Sequence, residues 1–195
     1  MKITRNISWL VIGTLLALSA ALPAAAGDPV MSLQPLHPGR EVVLEPAFEG
    51  TWVLEDFSSL MLEVKQADCV YRLRLFSNEE KETLEFDAHL VRLGGTVFVD
   101  IQQTTDAGLI ELHPHIFAKL RVDRDELHFD FLKDTFVEES LESGRTDLRH
   151  EKLNKTLVLT AATRELQTFV QSCDFDEDAF GETVSFTRLI EQEDP

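Results

Sequence analysis

Cysteine is nearly absent: Cys69 and Cys173 are the only two in 195 residues, and neither has an adjacent histidine or lysine or a partner at CxxC spacing, which argues against a reactive thiol. Basic residues are also scarce. Eighteen Lys and Arg face 35 Asp and Glu, for a formal charge of −17, and so acidic a surface repels polyanions, so neither nucleic acid nor an anionic membrane face is an expected partner. No Gly-x-Ser-x-Gly, phosphate loop or Cys/His pairing is present, which removes the common nucleophilic and nucleotide-dependent enzymes from first consideration. No cofactor is expected. Long apolar runs are missing except for one at the start, so no later stretch approaches the roughly 20 residues of a membrane-spanning helix.

That one run follows Lys2 and Arg5 and ends at Ala24-Ala25-Ala26, the pattern of a secretory signal occupying residues 1–26, cleaved before Gly27. No cysteine follows it to carry a lipid. The expected compartment is therefore outside the cytoplasm, periplasmic or extracellular, with the alternative that the run is an uncleaved anchor. In an exported protein, Cys69 and Cys173 can form a disulfide if geometry allows, and two buried thiols are the other possibility. Residues 27–45, with three prolines and two glycines and no stable period, read as an extended leader draped over the domain of residues 46–195.

From Gly50 onward short runs alternate apolar and polar with the period of strands. LMLEVKQ, CVYRLRLF, LEFDAHLVR, TVFVDIQQ, HIFAKLRVD and LHFDFLK each carry one apolar face, the Gly94-Gly95 pair marks a hairpin, and every strand is expected to be half buried. Adding GTWVLE before them and KTLVLTA after gives eight strands, which escape their edge problem most simply by closing into a barrel. Two segments break the pattern. DTFVEESLESG, with Asp134 as N-cap and Gly144 as stop, predicts a short helix across one barrel end, between strands seven and eight. TRELQTFVQSC places Leu166, Phe169, Val170 and Cys173 at i, i+3, i+4 and i+7, an amphipathic C-terminal helix that should pack on the outer wall. VSFTRL is a candidate ninth strand.

A Gly-x-Trp at the first strand (Gly50, Trp52), eight antiparallel strands, a following amphipathic helix and a last strand together resemble the lipocalins and the wider calycin group. The stretch LTAATRELQTFV with DEDAF is also similar to the C-terminal part of uncharacterised exported bacterial proteins. The lipocalin resemblance implies that Trp52 plugs the closed end of the barrel beneath a basic side chain, for which Arg164 and Arg188 are the two candidates. The turn VDRDEL lacks the Tyr of the family's second block. The resemblance further implies transport, storage or sensing of a small apolar molecule, and the apolar interior set of Leu62, Tyr71, Leu73, Phe86, Leu90, Val99, Leu120, Phe129 and Phe131 fits that implication. An eight-stranded barrel either holds one small ligand or is filled by its own side chains, and the chain has 13 Phe to do the filling. The second case makes it a structural or interaction domain of the cell envelope.

An enzyme or metal protein ranks third. His113-Pro-His115 has the i,i+2 spacing that puts two imidazoles on one side of a strand, but no third ligand is evident. His89 and His128 fall on charged faces and read as solvated surface. Asp174, Asp176, Asp178 and Glu182 in DFDEDAFGE have some features of a calcium loop, with Ala179 where the turn needs Gly.

Overall fold

The computed structural model describes residues 28–39, 43–78, 83–104, 113–153 and 156–190; the expected secretory signal and the −3 to −1 alanines lie outside them. The chain forms a closed, eight-stranded antiparallel barrel with two helices. A two-residue strand β1 (Met31–Ser32) precedes the ring, which then runs as a meander through β2 (Gly50–Leu54), β3 (Phe57–Ala67), β4 (Val70–Ser77), β5 (Thr83–Leu93), β6 (Thr96–Gln103), β7 (His115–Asp123) and β8 (Glu126–Phe131). After β8 come α1 (Asp134–Glu142), β9 (His150–Leu153), β10 (Thr156–Leu159), α2 (Thr163–Ser172) and β11 (Val184–Arg188).

The ring closes through β11, which pairs antiparallel with β2 on one side and β8 on the other. The eighth strand is therefore VSFTR, while the KTLVLTA run becomes β10 and stays outside the ring. There β10 pairs with β9, and in parallel with β1, which is itself joined to the first residues of β7. The pattern explains the exchange: in β11 buried Val184 and Phe186 alternate with the less buried Ser185 and Thr187, as in a wall with two environments, whereas Leu157, Val158 and Leu159 of β10 are buried consecutively.

Two-residue turns join β2 to β3, β3 to β4, β5 to β6 and β7 to β8, and the β5–β6 hairpin turns at Gly94 with φ of 61°, a conformation that favours glycine. Inward-pointing residues meet across the ladder, Leu62 opposite Leu75, Leu73 opposite Phe86, Leu90 opposite Val99 and Leu120 opposite Phe129. All nine residues expected inside belong to this inner cluster.

A second apolar cluster lies against the outer wall. Phe98 and Phe117 point outward from β6 and β7 and are covered by Val30 and Leu36 from the N-terminal segment and by Leu166, Phe169, Val170 and Cys173, the predicted stripe of α2. Helix α1 contributes Phe136 and Val137 to the same layer, so it packs beside the barrel wall and not across a barrel end. Its N-cap is Lys133, with Asp134 the first helical residue. This layer also corrects the expectation that every strand is half buried: Phe98 to Ile101 and His115 to Ala118 are buried on both faces. Among the described residues no helix is long and apolar enough to cross a membrane.

Candidate functional site

One end of the barrel is plugged. The 3-10 turn Pro46–Phe48 crosses beneath the strands, and Trp52, fully buried, donates its indole N–H to the Phe48 carbonyl at 3.1 Å. Phe48 packs edge-on against Tyr71, with ring centroids 5.0 Å apart, and the Tyr71 hydroxyl accepts the Glu45 N–H. Arg188, in the closing strand and opposite Trp52 in the ladder, lays its guanidinium 4.0 Å from the indole ring centroid. The same guanidinium donates to the carbonyls of Glu49 at 2.8 Å and Ala47 at 2.7 Å. Gly50 sits beneath it with φ of 140°, a conformation that favours glycine, and a Cβ there would displace the Arg188 guanidinium. Of the two basic candidates, Arg188 covers the tryptophan; Arg164 lies on the exposed side of α2, outside the barrel wall, and takes no part.

The other half of the barrel holds an apolar cavity of about 60 Å³, lined by leucines, phenylalanines, Ile101 and Val184 with almost no polar surface. Five of the expected ligand-contacting residues, Leu62, Leu73, Phe86, Phe129 and Phe131, line it. Tyr71, Leu90, Val99 and Leu120 do not, and pack the core around the plug instead. Ligand pockets for drug-sized molecules span roughly 300–1,000 Å³. This cavity has room only for the end of a small apolar group.

On the outer wall a polar cluster interrupts the second apolar layer. Asp100 of β6 is 1% exposed, and its carboxylate accepts the His115 Nδ1–H at 2.7 Å and the backbone N–H of Leu36 at 2.6 Å. With Nδ1 carrying the proton, the His115 Nε2 is left to accept from the Gln102 amide at 3.2 Å, and that amide also donates to the His113 carbonyl. His89 of β5, directly opposite Asp100, stacks on His37 of the N-terminal segment with ring centroids 3.8 Å apart. His37 lies edge-on to His115 at 6.5 Å. Burial, together with the neighbouring imidazoles, pushes the pKa of both His37 and His89 below the ordinary value.

His89 is thus half-buried in a ring stack, contrary to the solvated role expected from its strand face. His37 was not singled out in the sequence, since nothing in HPGR marks it. Among the described residues no group of three or more His, Cys, Asp or Glu side chains is placed to hold a metal ion, and His115 has committed both of its ring nitrogens. His128 bonds Ser185 at 2.9 Å, and the acidic loop after α2 spends Asp174 on Thr96 and Lys119.

The sequence leaves Cys69 and Cys173 open between a disulfide and two buried thiols; in the structure both are free thiols, and only Cys173 is buried. Cys69 is exposed in the tight β3–β4 turn rather than on the interior face, while Cys173 is buried at the end of α2 within the outer layer. Burial pushes the Cys173 thiol up to about 11, where it stays protonated and inert. No family model, curated protein or solved structure matches the chain.

Proposed function

We propose that this is an exported, lipocalin-like binding protein that takes the apolar end of a small ligand into its barrel. The observation that carries the reading is the cavity: it lies in the half of the barrel away from the Trp52 plug, and its walls are almost purely hydrocarbon. The Gly50–Trp52–Arg188 arrangement supports the family likeness, and the N-terminal apolar run supports export. With no polar side chain on the cavity wall to hold a headgroup, the ligand's polar part stays at the rim, where an acidic exterior favours neutral or cationic groups over anionic ones.

A second reading follows from the same cavity's size. At about 60 Å³ the barrel is close to full, as in a structural or interaction domain whose interior serves only stability. Titration with a neutral naphthylamine fluorophore separates the two. The ligand-carrier reading expects saturable one-site binding by the native protein, weaker binding of a sulfonated analogue, and loss of binding in Leu73→Trp and Phe129→Trp. A folded monomer that shows no saturable binding, or Trp variants that bind as well as native, makes the filled barrel the correct account.

A further inference from the structure

The N-terminal segment is fastened to the barrel wall in two ways. Residues 31–32 are held by strand pairing to β7 and β10. Residues 35–37 are held by side chains: the Leu36 N–H on Asp100, the Pro35 carbonyl on Thr163 Oγ1, the Leu36 carbonyl on Gln167 Nε2, and the His37 ring stacked on His89. Only the last of these joins two groups that titrate near neutral pH. We infer that the His37–His89 stack is an acid-sensitive latch, which holds residues 34–39 against β5 and β6 while both rings are neutral and lets them go when both become charged.

The argument is geometric. Two imidazoles whose centroids are 3.8 Å apart and whose planes differ by 16° are a favourable stack when neutral. Protonated, they are two like charges face to face in a half-buried site. His115 lies 6.5 Å from His37 and is bound through Nδ1 to Asp100. Two carboxylates face the stack, Asp100 from β6 and Asp87 from β5, and both favour the charged rings. Asp100, however, is already engaged by His115 and the Leu36 N–H. Arg164 of α2 lines the groove beside His37 and adds positive charge, and His113 stands at the entry to β7. Burial is the largest influence on both rings and it opposes their charging, so both are depressed in spite of the carboxylates. The released form exposes the rings to water and relieves both penalties.

The sign follows from linkage. Groups with depressed pKa values when docked give a stability that is complete above about 6.5, the ordinary imidazole value, and is lost as pH falls through the docked values. The opening is local, because among the described residues β1 and the rest of the barrel ladder contain no second stacked imidazole pair.

Amide hydrogen exchange by NMR tests it, comparing protection factors at pH 7.5 and pH 5.0 so that intrinsic exchange rates cancel. In the native protein the Leu36 and His37 amides are expected to lose about tenfold or more in protection, while Val99 and Leu120 in the ladder stay unchanged. The double variant H37F/H89F keeps aromatic stacking without charge and is expected to hold its protection at pH 5.0; the single variant H37Q, which cannot form the dication, gives the same reading should the double variant not fold. Unchanged protection in the native protein, equal loss in the variants, or loss spread evenly over the whole barrel overturns the latch.

Discussion

Arg188 does three things with one side chain: it closes the ring as part of β11, covers Trp52, and ties the 3-10 turn to the barrel through two carbonyls. Trp52→Ala, which empties a fully buried site, is expected to destabilise by roughly 3–5 kcal/mol. Arg188→Ala should cost about 2–4 kcal/mol, since charge-assisted hydrogen bonds contribute roughly 1.5–3 kcal/mol each and these two are not independent. Arg164→Ala, on the exposed side of α2, should stay within about 0.5 kcal/mol. Urea unfolding of the three variants checks the assignment, and equal losses for the two arginine variants would contradict it. The cysteines give a separate test: in the native state one thiol, Cys69, should react rapidly with an alkylating reagent, and Cys173 should react only on unfolding. A native protein with both thiols equally reactive would refute the buried placement of Cys173.

Helix α2 binds the barrel through a four-residue stripe, and Leu166→Ala is expected to cost about 2–5 kcal/mol, as for other buried leucines, without altering probe binding in a cavity on the far side of the wall. Denaturant midpoints and probe titrations on the same variant measure both. That stripe was legible in the sequence, because one face of α2 meets Phe98 and Phe117 while the other meets solvent. The strands were legible for the same reason wherever one face is wet, as in β4, where Arg72 and Arg74 alternate with Leu73 and Leu75. Period-two reasoning failed where a strand has no wet face. The buried run at Leu157–Leu159 looked like barrel wall, and the outward burial of Asp100 and His115 could not be read, because what covers them arrives from distant segments. The histidine stack was hidden for that reason: His89 shows its strand face in its neighbours, but His37 reaches it only through the path of a loop-like segment without a period.

For the whole molecule, the depressed histidines act through residues 34–39 alone, so strand content read by far-ultraviolet circular dichroism is expected to hold from pH 7.5 to 5.5 while that segment opens. The ring itself has a further consequence, one of timing. Arg188 meets Glu49 across 139 residues of sequence, and α1, β9, β10 and α2 intervene in the chain between β8 and β11. Seven strands can zip up in chain order from adjacent hairpins, but the two flanks of the gap, β2 and β8, keep unsatisfied backbone donors and acceptors until the last strand is delivered. The interval between completion of the meander and arrival of β11 is thus when two copies are most exposed to joining edge to edge. A chain cut after Gly181 makes that interval permanent, and is expected to oligomerise through β2 and β8 while retaining strand content, visible as a shift in sedimentation with little change in far-ultraviolet circular dichroism.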